Sequence, residues 1–204
     1  MFSFSMVDFK LFNKWDTAGI VVVDPGLRKY VGLTPILVPR SFGRNNSQRY
    51  GKSKSHIVER LMNKLMVVGH KGKKHFKTSG HMTGKVINVY SAVKKSFEII
   101  EQETKENPIQ VFVKALENAT PREEITTIEY GGARYPQSVD YAPQRRVDIA
   151  LRHFAQGTYS KSFAKKRSIA QALAEEILKA YKMDQASQAI SKKLELERQA
   201  SSSR

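Results

Sequence analysis

No cysteine occurs in the 204 residues, which excludes disulfide frameworks, cysteine-based zinc sites and thiol catalysis together. Negative charge is scarce: 19 Asp and Glu stand against 35 Lys and Arg, a formal net charge of +16. Self-repulsion on that scale disfavours the compact state unless a polyanion supplies the missing charge, so an anionic partner is expected. Long hydrophobic runs are missing too. The longest, such as Gly19 to Val23, fall far short of a bilayer span, so no membrane partner is expected. The apolar start Met1-Phe2-Ser3-Phe4-Ser5-Met6 is interrupted by Asp8 and Lys10 before a secretory core develops, and no signal peptide is read. Catalytic constellations are also lacking: Glu123 and Glu124 are adjacent in a turn, and neither a Ser/His/Asp order nor a nucleophile elbow can be traced. No enzyme and no cofactor are expected.

What is present is a foldable chain with unevenly placed charge. A hydrophobic content of 40% supports one main domain. Residues 1–39 hold four Lys/Arg and three acids, whereas Arg40 to Lys95 hold fourteen Lys/Arg and one acid, Glu59. Residues 96–129 invert the balance, with eight acids against three bases. Ile20 to Val23 reads as a possible strand closed by the turn former Asp24-Pro25-Gly26. Residues 40–54 lack any apolar period and read as a flexible basic arm carrying Arg40, Arg44, Arg49, Lys52 and Lys54. Helical periodicity then takes over, with Ser55 as a cap and Ile57, Val58, Leu61, Met62, Leu65 and Val68 on one arc. A second stripe runs Val86, Val89, Tyr90, Val93, Phe97, Ile100, and a third, opened by Asn107-Pro108, runs Ile109, Phe112, Val113, Leu116. A fourth helix opens at Pro143 and ends near Gly157, a fifth spans Lys161 to Lys182, and a short polar sixth is anchored by Ile190 and Leu194. The expected fold is mainly α: about six helices, one protruding β-hairpin at about 124–140 and a basic N-terminal extension.

Aromatic rings beside guanidinium groups stack on bases and pair with phosphates, and the hairpin tip carries that chemistry in Tyr130, Arg134 and Tyr135 around Gly131-Gly132. In a generic sheet the two tyrosines are cross-strand packing partners instead, but a ribbon tip is a poor place for a core. Arg145 and Arg146 sit in the first helical turn, where the macrodipole disfavours cations. A shared phosphate would account for them, as would salt bridges to acids such as Asp140 and Asp148. The loop from Gly69 to His75 fails the Walker pattern in spacing, in the missing Ser/Thr and in the missing strand, and reads as a basic contact loop through Lys71, Lys73 and Lys74. His70, His75 and His81 have no carboxylate nearby and no helical spacing, so no metal site is expected.

Several blocks in order resemble one family: His56-Ile-Val-Glu-Arg-Leu-Met-Asn, Glu106-Asn-Pro-Ile-Gln-Val-Phe-Val-Lys-Ala-Leu-Glu-Asn, Thr120-Pro-Arg-Glu-Glu, Ala142-Pro-Gln-Arg-Arg-Val and Lys192-Lys-Leu-Glu-Leu-Glu-Arg. The chain resembles ribosomal protein seven of the small subunit, the universal S-seven family, from about residue 55 to the end. The Pro-Arg-Glu-Glu block, Lys10-Leu-Phe-Asn-Lys-Trp and the long loop before the second helix look like the archaeal and eukaryotic branch, and the tip Tyr130-Gly-Gly-Ala favours the archaeal. The resemblance implies residues 1–54 as extension and basic arm, and 55–204 as a helical domain binding the three-prime major domain of small-subunit ribosomal RNA. It also implies a primary binder that nucleates assembly of the subunit head in the cytoplasm, beside neighbouring head proteins, with no homo-oligomer. The tip, Tyr130 to Tyr135, would lie near exit-site tRNA and messenger RNA. The ribosomal RNA contacts would be Arg40, Arg44, Arg49, Lys52, Lys54, Lys71, Lys73, Lys74, Arg122, Arg145, Arg146, Lys165, Lys166 and Arg167. The competing class is a free nucleic-acid regulator of helix-turn-helix type, which would expose Asn, Gln and Arg along a recognition helix.

Overall fold

The computed structural model describes residues 9–71, 74–75 and 82–203. Among them run helices α1 (Ile57–Leu65), α2 (Val86–Thr104), α3 (Pro108–Ala119), α4 (Pro143–Ser162), α5 (Ile169–Tyr181) and α6 (Gln188–Ser202). Strands β1 (His70–Lys71) and β2 (Lys74–His75) form a short antiparallel ladder between α1 and α2. Strands β3 (Glu123–Tyr130) and β4 (Ala133–Asp140) form the long hairpin. The expected mainly helical bundle with one projecting ribbon is the fold observed.

A side-chain cap closes the start of three helices, α1, α3 and α5. Asn107 accepts from the Ile109 N–H and Pro108 occupies the first turn of α3, where its missing N–H costs nothing. Ser168 and Gln171 close a reciprocal capping box on α5. At α1 the cap is His56, whose Nδ1 accepts from the Val58 N–H; Ser55 instead accepts from the Asn45 amide.

Helix α5 packs against α2, α3, α4 and α6, and its buried face is mostly small: Ala172, Ala174 and Ala180 beside Leu173 and Ile177. Small side chains let several helices approach one axis. The stripes Val89-Val93-Phe97-Ile100 and Ile109-Phe112-Val113-Leu116 are fully buried, and ring contacts run from Phe12 and Trp15 through Phe97 and Phe112 to Phe154.

Four boundaries differ from the sequence expectation. Helix α4 passes through Gly157 to Ser162, because this glycine marks a close approach rather than a stop. A Cβ there would lie 2.8 Å from the Glu176 carboxylate. Helix α5 starts at Ile169, so Lys165, Lys166 and Arg167 belong to the α4–α5 loop. Helix α6 has 15 residues, with Ala189, Ile190 and Ala200 buried and Leu194 exposed, so its anchors are mainly alanines that a hydropathy pattern weights lightly. The Ile20 to Val23 segment forms no strand. Gln110 takes the place of a partner strand, its side-chain amide accepting from Val21 N–H and donating to Val21 C=O, and Glu117 accepts from the Val23 and Asp24 N–H groups.

The N-terminal segment has no helical or strand period, yet Leu11, Phe12, Trp15, Val22, Leu27 and Val31 sit in the same core as the helices. Its turn Asp24-Pro25-Gly26 forms as expected, with Leu27 N–H donating to Asp24 C=O.

Candidate nucleic-acid interface

The expected basic arm is a series of turns tied to α1 and α4. Ser41 donates through both N–H and Oγ to Glu59, at 2.9 and 2.7 Å, and residues 51–54 form a 3-10 turn. Lys52 pairs with Asp148 on α4. The segment lacks an apolar period because polar anchors, not burial of a stripe, hold it.

Asp148 organises this region. It also accepts from Arg60, whose guanidinium is 4% exposed and donates to the Tyr30 carbonyl at 2.7 Å. Burial alone would raise the Asp148 carboxyl, but the Lys52 hydrogen bond and the charges of Arg60, Lys52 and Lys64 hold it below the usual carboxylate range. Lys64 on α1 is half-buried. Burial pushes its ammonium below the usual lysine range; Asp148 opposes this, while Arg152, Lys52 and Arg60 add to it. Three cations, Lys52, Arg60 and Lys64, therefore act on one carboxylate.

Three adjoining clefts trace a band along this side. The first lies between residues 39–46 and α1, the second between α1 and α4, and they share Asn63 and Lys64. Val68 is common to the second and a third that reaches Met82, Phe163 and Arg167. Most of the sequence-predicted cations border or flank this band. Arg40 and Lys52 line the first cleft; Arg44, Arg49 and Lys54 are exposed on the neighbouring turns. Lys165 and Lys166 are exposed in the α4–α5 loop, and Arg167 pairs there with Glu175. Lys71 and Lys74 occupy the β1–β2 ladder, while Lys73 and His81 lie outside the described residues. Lys64 and Arg152 also line this band, although neither is among the expected contacts; Lys64 flanks the apolar stripe of α1 and Arg152 lies on the face of α4 opposite its stripe.

The remaining predicted residues cluster around the ribbon. Gly131 and Gly132 have φ of 59° and 82°, the two positive values a two-residue hairpin turn requires, and Tyr130 pairs with Ala133 across them. Tyr130 is 82% and Tyr135 58% exposed, so neither serves a core. Arg134 pairs with Glu129 at 3.7 Å in solvent, and Pro136 is tolerated because a two-stranded ribbon consists of edges. Arg122 is exposed at the ribbon base, where its backbone N–H donates to Glu197 of α6.

Arg145 and Arg146 separate. Arg145 makes a bidentate pair with Glu124 on β3 and lies over the Tyr141 ring, but its side chain stays 57% exposed. Arg146 is 14% exposed and donates to Asp24, to the Pro121 carbonyl and to Thr120. Arg146 therefore gains from the fold what its place in the first helical turn withholds. Its acceptors come from a segment 122 residues away and from the α3–β3 turn, so the dipole argument was outweighed by contacts no local pattern displays. The pairing partners are Glu124 and Asp24 rather than Asp140 and Asp148.

The sequence profile of the family described as Ribosomal protein S7p/S5e matches residues 28–204. The chain belongs to that family. It is similar to the small ribosomal subunit protein uS7 of Nanoarchaeum equitans, 56% identical over 96% of this chain and 98% of that protein. Against the small ribosomal subunit protein uS7 of Methanococcus aeolicus it is 49% identical over 97% and 100%. Both relatives are archaeal, in line with the branch read from the Pro-Arg-Glu-Glu block. The family is one of ribosomal proteins and not of enzymes. A recognition helix loaded with basic residues finds no support either, since Lys165 to Arg167 precede α5. Among the described residues no helix is long and apolar enough to cross a membrane, and no cluster of three or more His, Asp or Glu could hold a metal ion.

Proposed function

We propose that the chain is a structural constituent of the small ribosomal subunit. In this reading it binds the three-prime major domain of the ribosomal RNA as a primary binder, and nucleates the head of the subunit in the cytoplasm. The family match across residues 28–204 carries the reading, and the net charge of +16 supports it. The band around α1 and α4 takes RNA backbone, with Arg40, Arg44, Arg49, Lys52, Lys54, Lys71, Lys74, Lys165, Lys166 and Arg167 along it; Lys73, outside the described residues, is proposed to contact the same RNA. Arg122 and Arg145 add contacts at the ribbon base, and the tip, Tyr130 to Tyr135, reaches exit-site tRNA and the messenger path. Neighbouring head proteins complete the surroundings. Arg146 contributes less, because its Nε and Nη2 are engaged by Pro121, Asp24 and Thr120 within the fold.

The test is binding of the purified chain to transcripts of separate ribosomal RNA domains over a salt series. The three-prime major domain should bind tightest, with log affinity falling by about 0.9 per phosphate contact against log salt on duplex regions. A slope near zero, or equal affinity for every domain, would refute the reading.

A further inference from the structure

The first cleft of the basic band is shaped for more than backbone contact. Its volume is about 470 Å³, large enough to hold one nucleotide-sized group in a half-open cleft. Phe42 forms part of its rim. The ring is 75% exposed, and the residue sits at φ 53°, a left-handed conformation that bulky side chains rarely adopt. Arg40 lies over the ring at 4.7 Å from its centroid. The neighbouring Ser41 is locked onto Glu59, so the ring and the guanidinium are displayed by a fixed turn. Asn46, Asn63, Lys52 and Lys64 are among the lining residues, with the paired carboxylates of Glu59 and Asp148 beside them. Lys64 makes no hydrogen bond or ion pair among the described residues, although it stands half-buried with one carboxylate, Asp148, and three cations, Lys52, Arg60 and Arg152, acting on it.

These features together match the parts of one nucleotide. An exposed aromatic face beside a guanidinium accepts any base by stacking, amides meet the polar edge of a base, and crowded ammonium groups are relieved by a phosphate. A paired stem would leave the Phe42 ring with nothing to stack on, because its bases are turned inward.

We propose that this cleft receives a single unstacked nucleotide of an RNA strand, its base against Phe42 and Arg40, its polar edge at Asn46 and Asn63, and its phosphate at Lys64 and Lys52. The assignment deepens the RNA-binding reading and rests on it. An RNA strand fits better than a free nucleotide because Arg44, Arg49, Lys54 and Arg152 extend the positive charge beyond the cleft, where a mononucleotide leaves it unanswered.

The experiment uses the full chain and a transcript of the three-prime major domain of an archaeal small-subunit ribosomal RNA, titrated over a salt series. Phe42→Leu removes the aromatic face and keeps the charge, so affinity should fall about tenfold with the salt slope unchanged. Phe42→Trp should restore wild-type affinity, which a merely apolar packing role would not require. Lys64→Gln should lower the slope by roughly one unit. A millimolar excess of AMP or UMP should leave RNA binding untouched. Wild-type affinity in Phe42→Leu, with the steep slope of the parent intact, would overturn the nucleotide assignment while the RNA reading stands. Displacement of RNA by the mononucleotides would overturn it in favour of a free-nucleotide site. A flat salt slope in the parent chain would instead remove the RNA reading, a failure visible before any variant is made.

Discussion

The projecting ribbon and the basic band around α1 carry the same residue types, aromatic rings beside arginines, but hold them by different means. In the ribbon, the turn glycines and the strand register fix the geometry, and Tyr130 and Arg134 touch little beyond their own hairpin. In the band, residues distant in sequence do the holding: Glu59 fixes Ser41, and Asp148 gathers Lys52 and Arg60, which in turn grips Tyr30. Local control sets the shape of the ribbon beyond its base, whereas tertiary control fixes the turns of the band. The neighbours Arg145 and Arg146 repeat the contrast at one point of the chain, the first tying α4 to the ribbon and the second tying it to the N-terminal segment.

The sharpest way to test whether buried polar anchors govern the body is Glu176→Ala. The Glu176 side chain is 0% exposed and accepts from Lys161 at 2.6 Å, from Ser187 Oγ at 2.8 Å and from the Ala189 N–H at 3.1 Å. It joins α4, α5 and the start of α6. Removing one partner of such a cluster costs about 3–5 kcal/mol, so the urea midpoint should drop severely. A drop of less than about 1 kcal/mol would show that the helices are held by apolar packing alone.

Acid should act on the body and spare the ribbon. Burial lowers His56 from 6.5 to about 4, and its Nδ1 must stay unprotonated to accept the Val58 N–H. In the unfolded chain the same group binds its proton near pH 6.5. Below that value the unfolded state holds more protons, so stability falls as pH drops from about 6.5 to 4 and the loss then levels off. His153, also lowered to about 4 by burial and by the charges of Arg152 and Lys192, acts in the same window. For His56 the loss amounts to roughly 3 kcal/mol. Asn is a good helix cap without that titration, so His56→Asn should flatten the curve of unfolding free energy against pH. An unchanged curve would mean that His56 is not held neutral.

Arg146→Ala and Arg145→Ala divide the two regions directly. The first leaves Asp24 unpaired in a half-buried site and should cost about 2 kcal/mol. The second breaks an exposed pair and should cost less than about 1 kcal/mol, while losing roughly one unit of salt slope on RNA. Equal effects on thermal stability would erase the distinction between body and ribbon.

These pairs also show what the sequence could disclose. The Asn107-Pro108 start, the hairpin glycines and the apolar stripes of α1 to α3 are local signals, and they produced the elements expected of them. Ser168-x-x-Gln171 was an equally local signal that α5 begins after the Lys165–Arg167 run, and the charge run concealed it. Gly157 could not be read correctly from sequence, because its need for space comes from Glu176 on another helix. The same holds for the Arg146–Asp24 pair and for the Phe12 and Trp15 contacts with Phe97, which join segments 122, 85 and 82 residues apart. Lys64 beside the α1 stripe and Arg152 opposite the α4 stripe are local signals, but only the approach of α1 to α4 makes them neighbours.

The smallest expected change in stability belongs to the ribbon itself. Thr127 pairs with Pro136, so replacing residues 128–135 by Asn-Gly shortens both strands evenly and closes them on a favoured two-residue turn. The excised residues include Tyr130, Arg134 and Tyr135 and none of the core. The thermal midpoint should move little, because exposed ribbon residues lie at the low end of local stability. On the proposed reading the shortened chain still enters small subunits at normal yield, since the band around α1 is intact. What should change is release of exit-site tRNA, because a stacking contact at the tip is worth on the order of 1–3 kcal/mol. Reconstituted subunits with the parent or shortened chain would be compared for assembly yield and tRNA dissociation. Poor assembly with normal tRNA dissociation would make the ribbon an assembly anchor and reverse the roles given to the two regions.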